Sequence, residues 1–202
     1  NATDTRNGQT PLFLAVYNGH EECAKLLLGT GAKMDSETLD SPTALAGGQT
    51  PLSIASERGG LDMMKLLLSA KADPNAGIKN PPLLGAIAAK NLVAAELLLQ
   101  AGAKPNATGR ADFSGIKSNT DFMNYHWNMT PLWLAIYLDQ PSMVRLLLKF
   151  KADPNDSQTD RRSVLFSALS DTNILQALLD AGANIESHDK TVNINGDRPD
   201  WK

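Results

Sequence analysis

The 202-residue sequence has a single cysteine, few aromatic residues and no marked excess of charge. Cys23 has no second cysteine to pair with, which excludes an intramolecular disulfide and an all-cysteine metal site. The formal net charge of −3 offers no general attraction to nucleic-acid phosphates, and no apolar run approaches the ~20 residues that cross a bilayer. We therefore expect no nucleic-acid binding and no membrane insertion. A lone cysteine fits a reducing compartment, so we expect a cytoplasmic protein, with a nuclear location as the alternative.

The motifs of familiar enzyme classes are also missing. The sequence has no glycine-rich loop for a phosphate, no His-Glu-x-x-His zinc helix and no Gly-x-Ser-x-Gly nucleophile turn. His126 and His188 have no carboxylate at a spacing that would make either of them a general base. We therefore expect a non-catalytic chain that uses no cofactor and no metal ion.

What the sequence does contain is a pattern of three parts that recurs in the same order. The first part is a Thr-Pro-Leu segment or a variant of it, at residues 8–12, 48–52, 80–83, 128–132 and 162–165. The second is a leucine run, at residues 26–28, 66–68, 97–99, 146–148 and 178–179. The third is a turn segment such as Lys-Ala-Asp-Pro-Asn, at residues 31–33, 71–75, 102–106, 151–155 and 182–184. The recurrence shows that the chain is built from repeats.

Each part of the pattern predicts a local structure. Threonine caps free backbone amides and proline suits the first helical position, so Thr-Pro-Leu predicts the start of a helix. Gly19 and Gly59 predict the end of this short first helix. The leucine runs predict a second helix that is buried on most sides, and the Ala-Asp-Pro-Asn segments predict turns. One such unit cannot bury its own leucines, so neighbouring units must stack into an all-α solenoid.

These motifs resemble the ankyrin repeat, a unit of about 33 residues in which Thr-Pro-Leu opens a helix–turn–helix. The resemblance implies an all-α solenoid of about five such repeats with projecting hairpin loops. His20 follows Gly19 as in the family's helix-joining Gly-His pair, so we favour a structural role for it over metal binding or catalysis with Cys23. Trp133 stands where the family usually has a histidine, and we expect it to pack against the stack.

The repeat spacing predicts one repeat domain over residues 1–189, followed by a tail or terminal hairpin at residues 190–202. The predicted repeats lie at about residues 5–35, 45–75, 78–106, 127–155 and 160–187, with insertions at 36–47 and 107–127. The last repeat is two residues short between its helices, at residues 170–173. The first insertion is polar, and we expect a solvated loop.

The second insertion differs because it is rich in aromatic residues. Between residues 108 and 128 it contains Phe113, Phe122, Tyr125 and Trp127. Large aromatic side chains are preferred anchors of protein interfaces. Two interpretations stay open: the loop packs its rings against the repeats, or it presents them to a partner.

The resemblance implies that partners meet the concave face, formed by the hairpin tips and the exposed side of each first helix. The corresponding residues, together with the aromatic insertion, form the predicted partner-binding set: Tyr17, Asn18, Glu57, Arg58, Tyr137, Leu138, Met129, Phe113, Phe122, Tyr125 and Trp127. We expect a monomeric, non-catalytic module that binds a protein or peptide. The alternative is a regulatory or substrate-recruiting segment of a larger enzyme or signalling protein whose active site lies elsewhere.

Overall fold

The computed structural model describes residues 8–39, 48–77, 80–109, 129–156 and 164–185, except the side chain of Phe166. In these residues short helices follow one another in pairs. The pairs are α1 Pro11–Tyr17 with α2 Glu21–Gly29, α3 Pro51–Glu57 with α4 Leu61–Ser69, α5 Pro82–Ala88 with α6 Leu92–Gln100, α7 Pro131–Tyr137 with α8 Pro141–Lys149, and α9 Val164–Ser167 with α10 Thr172–Asp180. The described residues contain no strand, so the expected all-α solenoid of helix–turn–helix units is confirmed.

The Thr-Pro-Leu segments start helices as predicted. The hydroxyl oxygen of Thr10 accepts a hydrogen bond from the backbone N–H of Phe13 at 3.0 Å. Thr50 accepts from Ser53 at 3.1 Å in the same way, and the Ser53 hydroxyl also accepts from the Thr50 backbone, which completes a capping box. Thr130 caps α7 through the backbone N–H of the residue three positions later at 3.3 Å. These caps fix the start of each of these first helices.

The turn between the helices of a pair requires a left-handed backbone. Gly19 and Gly59 adopt φ values of +73° and +72°, which confirms them as helix stops. Lys90 and Asp139 take the same place in the third and fourth pairs with φ values of 54° and 52°. A left-handed backbone is uncommon outside glycine, so the stack imposes this turn even where the sequence does not favour it.

The pairs stack side by side, first helix on first helix from α1 through α9 in turn, with α6 on α8 and α8 on α10. The middle leucines of the later three-leucine runs, such as Leu67 and Leu147, are fully buried. The expectation of buried leucine runs is wrong for Leu26, which is 73% exposed. Unlike Leu27 and Leu28, it is not among the described hydrophobic side chains that pack against the core.

Asparagine side chains join consecutive turns along one edge of the stack. The Oδ1 atom of Asn75 accepts from the backbone N–H of Lys104 at 2.8 Å, and its Nδ2 donates to the carbonyl of Gly102 at 3.0 Å. Asn106 and Asn155 make the equivalent pair of bonds to the turns that follow them. The sequence identified these residues only as turn formers, whereas the structure shows that they also hold neighbouring units in register.

Candidate interaction surface

Two predicted site residues from different helix pairs lie in direct contact. The guanidinium carbon of Arg58, which caps the end of α3, lies 3.9 Å from the centre of the Tyr17 ring. Tyr17 is half-buried and stacks in turn on Phe13, with ring centres 6.3 Å apart and planes 19° from parallel. A cation over an aromatic face is attracted by the negative potential of the ring. The contact therefore fixes both side chains at the end of the first helices.

Glu57 and Asn18 are held by their neighbours as well. The Nε2 atom of buried Gln49 donates to both carboxylate oxygens of Glu57, at 3.2 and 3.0 Å. Asn18 is exposed, and its Nδ2 donates to the carbonyl of Leu14 at 2.8 Å. The predicted residues at this end of the stack thus form a surface whose side chains have defined positions.

Gly85 makes the adjoining helix contact possible, a role that the repeated motifs do not reveal. A Cβ atom at this position would lie 2.8 Å from both Ser56 Oγ and Glu57 Cγ. The Ser56 hydroxyl donates to the carbonyl of Pro82 at 2.8 Å, so α3 and α5 are also joined by a buried hydrogen bond. The signal available in the sequence was a single glycine inside a predicted helix, which can mark a close approach of two backbones.

The fourth pair carries a second aromatic stack. Trp133 and Tyr137 have ring centres 5.0 Å apart and planes 7° from parallel. Trp133 is buried, which confirms that it packs against the stack, while Tyr137 remains 39% exposed. Tyr137 and Tyr17 are each the last residue of a first helix and stack on the aromatic residue four positions earlier. The first and fourth pairs therefore present the same aromatic arrangement.

Two residues of the predicted set do not present side chains at the surface. Leu138 is only 8% exposed and Met129 only 4%, because both belong to the continuous hydrophobic core. The backbone of Leu138 does take part in a contact between helix pairs, since its carbonyl accepts a hydrogen bond from Nζ of Lys90 at 3.4 Å. The assignment of these two side chains to partner contact is corrected accordingly.

The two insertions leave and re-enter the stack at hydrogen-bonded necks. Gly109 and Met129 form an antiparallel bridge with N–H···O distances of 3.1 and 3.0 Å. At the first insertion, Thr38 exchanges backbone bonds with Gly48 and Gln49 at 2.8 and 2.9 Å. The aromatic residues of the second insertion lie outside the described residues: Phe113, Phe122, Tyr125 and Trp127. The neck fixes where that insertion joins the stack.

A pocket of about 560 Å³ lies between α7 and the last helix pair. Trp133 and Tyr137 line one part of it, and Asp139, Asp171 and Thr172 line another. The repeated motifs did not single out the two aspartates. The sequence difference nearest to this pocket is the two-residue shortening of the last repeat between α9 and α10.

The described residues offer no metal site and no membrane span. No group of three or more histidine, cysteine, aspartate or glutamate side chains in them is arranged to hold a metal ion. His20 and Cys23 are both exposed. None of the described helices has the length and apolar character needed to cross a bilayer.

A family model for ankyrin repeats, built on three copies of the repeat, matches residues 1–78 and 111–189. A search of curated proteins finds no match. Residues 82–100 lie outside the matched ranges, yet they form the pair α5 and α6 with the same helix lengths as the pairs before and after it. Ankyrin repeats generally serve in protein–protein interaction and are typically non-catalytic. From the repeated motifs, the stacked helix pairs and the family match together, this chain belongs to the ankyrin repeat family.

Proposed function

We propose that this chain is a non-catalytic module that binds a protein or peptide through the exposed ends of its first helices. The contact residues in this proposal are Tyr17, Asn18, Glu57, Arg58 and Tyr137, joined by the aromatic insertion at residues 108–128. The same surface would serve the chain by itself or as a regulatory or recruiting segment of a larger protein.

The observation that carries the proposal is that these side chains are already held in place. Arg58 lies over the Tyr17 ring, Gln49 donates both Nε2 bonds to Glu57, and Tyr137 stacks on its neighbour in the preceding turn of α7. Ordering a side chain on binding costs about 0.5–1.5 kcal/mol for each flexible group. A partner that meets a surface whose side chains are already fixed avoids much of that cost.

The test is affinity capture from a lysate with the intact chain and two variants. One variant combines Tyr17→Ser, Arg58→Ala and Tyr137→Ser. The control combines Glu22→Ala and Lys25→Ala, an exposed ion pair on α2, which is a helix that contributes no residue to the proposed surface. We expect the first variant to lose the proteins that the intact chain and the control both retain. Equal capture by all three, with unchanged thermal unfolding, contradicts the proposed surface.

A further inference from the structure

The first helix of the stack, α1, closely matches α7 in sequence. Pro-Leu-Phe-Leu-Ala-Val-Tyr in α1 and Pro-Leu-Trp-Leu-Ala-Ile-Tyr in α7 are identical at five of seven positions. The helices paired with them, α2 and α8, share the run of three leucines. The two first helices therefore carry nearly the same side chains, although α7 packs on both α5 and α9 whereas α1 packs on α3.

Contacts inside the stack show which positions of a helix pair face the pair before it. The Ser56 hydroxyl of α3 donates to the carbonyl of Pro82, the first residue of α5, and a Cβ atom on Gly85, the fourth residue of α5, would meet the same hydroxyl. Gln140, the N-cap residue of α8, donates through Nε2 to the carbonyl of Ile87 in α5 at 2.9 Å. The first and fourth residues of a first helix and the N-cap residue of a second helix thus lie against the preceding pair.

The third residue of the second helix faces the same way. Met63, Ala94, Met143 and Ile174 hold this position in the second to fifth pairs, and all four are buried. Cys23 holds it in the first pair and is exposed. The position is therefore buried in each pair that has a described pair before it.

In the first pair these positions carry exposed and mostly apolar side chains. Leu14 is 40% exposed, whereas its counterpart Leu134 is fully buried. Leu26 is 73% exposed, whereas its counterpart Leu146 is 8% exposed. Three more residues are exposed although their counterparts in the fourth pair are buried, and with the two leucines they form what we call the end face: Pro11, His20 and Cys23. A terminal unit that faces water needs a polar outer side, so this apolar composition is typical of a unit inside an array.

We propose that the end face is a stacking interface for a further ankyrin-type helix pair, joined ahead of α1 in the same polypeptide. Each later pair packs its first helix on the first helix of the pair before it in the chain, so a preceding pair matches the apolar positions. A second copy of this chain fits less well. Its last first helix, α9, is only four residues long and ends before the sixth position, where Ser56 of α3 donates across the interface. This interaction extends the array and goes beyond the partner binding proposed above.

The test adds such a pair to the intact chain and uses its single cysteine as a reporter. Residues 80–105 contain α5 and α6, which precede α7 in the stack, and no cysteine. They are fused ahead of residue 1, because residues 1–3 repeat the Asn-Ala-Thr of residues 106–108 and the join restores the natural sequence. We expect the fusion to slow alkylation of Cys23 by iodoacetamide by about tenfold or more and to raise the melting temperature by about 3 °C or more. Equal alkylation rates in the fused and the intact chain overturn the proposal.

Two control fusions separate stacking on the end face from the mere presence of extra residues. One carries the added residues in scrambled order, and the other keeps their order but contains Leu14→Lys and Leu26→Lys. In the intact chain this double variant should change the melting temperature by about 2 °C or less, because both leucines are exposed. We expect Cys23 in both control fusions to react as fast as in the intact chain. Protection of Cys23 in either control contradicts stacking on the end face.

The intact chain by itself distinguishes a preceding pair from a second copy. We expect its sedimentation coefficient and the alkylation rate of Cys23 to stay constant as the protein concentration is raised. Protection of Cys23 that grows with concentration, together with faster sedimentation, would show that another copy covers the end face and would overturn the assignment to a preceding pair.

Discussion

The carboxylate of Asp35 accepts a hydrogen bond from the backbone N–H of Asp73 at 3.1 Å, at the position where later turns use asparagine. Asn75, Asn106 and Asn155 accept the equivalent bond and also donate to a carbonyl of the next turn. Partial burial raises the pKa of Asp35 above its usual 3.8, the bond from the Asp73 backbone opposes this, and the nearby Asp73 carboxylate adds to the rise. Of the side chains that join consecutive turns, Asp35 is therefore the one that carries an unfavourable charge.

Asp35→Asn is expected to stabilise the fold at neutral pH. The amide keeps the acceptor for Asp73 and adds a donor for the carbonyl of Lys71, which is the counterpart of Gly102 in the link made by Asn75. One net hydrogen bond contributes about 1 kcal/mol, so we expect a gain of that order in the free energy of unfolding. Urea unfolding of the variant and the intact chain at about pH 7 measures it, and a loss of stability contradicts the assigned link.

The pH dependence of this gain follows from the direction of the pKa shift. Because the pKa of Asp35 is raised in the folded protein, ionisation of Asp35 lowers stability as pH rises through the interval between 3.8 and the raised value. Below that interval Asp35 is protonated in both states and the penalty disappears. The advantage of Asp35→Asn should therefore be largest near neutral pH and shrink at about pH 4. An advantage that grows on acidification would show that the pKa shift has the opposite sign.

Leucines of the same sequence motif should respond very differently to truncation. Leu147 is fully buried, so Leu147→Ala should lower the free energy of unfolding by about 2–5 kcal/mol. Leu26 is the first leucine of the corresponding run in the first repeat and is 73% exposed, so Leu26→Ala should change stability by about 0.5 kcal/mol or less. Chemical denaturation of the two variants checks this, and equal losses would contradict the arrangement of the stack.

The pair of leucines shows how far the sequence predicts this fold. The helix starts at Thr10, Thr50 and Thr130 follow from local chemistry, since a threonine followed by proline both caps and begins a helix. Leu26 and its counterpart Leu146 occupy the same position of the motif, yet they are 73% and 8% exposed, because their exposure depends on what packs against each helix. The burial of a leucine depends on the neighbouring repeat, so the motif of one repeat does not predict it.

For the candidate surface too, features within one repeat were predicted from the sequence, whereas contacts between repeats were not. Placement of Tyr17, Arg58 and Tyr137 at helix ends followed from counting along the motif, but the contact between Arg58 and Tyr17 joins two repeats. Leu138 was misassigned because the position after a first helix is exposed in one unit, as at Asn18, and packed into the core in another. The pocket beside Tyr137 was not predicted, because its lining residues come from two helix pairs and their proximity depends on how the pairs stack.

Gly85 and Gly29 form a matched pair for testing the close contact between α3 and α5. A Cβ atom on Gly85 would meet Ser56 Oγ and Glu57 Cγ at 2.8 Å, so Gly85→Ala should lower the free energy of unfolding by about 1–3 kcal/mol. Gly29, the last residue of α2, has no heavy atom within 4 Å of the equivalent position. Gly29→Ala should therefore be neutral or stabilise by up to about 1 kcal/mol. Thermal unfolding distinguishes them, and a tolerated Gly85→Ala would contradict the tight approach of the helices.

Removing the aromatic insertion should leave the stability of the helix stack nearly unchanged. Gly109 and Met129 are joined by two backbone hydrogen bonds, and Asn106 still reaches the turn at Asp153, with its Oδ1 accepting from that backbone N–H at 2.9 Å. Replacing residues 110–128 by Asn-Gly, which favours the tight turn of a two-residue hairpin, should therefore preserve cooperative unfolding with a similar midpoint. In the same variant we expect loss of partner capture, because Phe113, Phe122, Tyr125 and Trp127 are removed together. Retained capture would exclude the insertion from the binding surface, whereas a collapsed melting transition would show that its rings pack against the repeats.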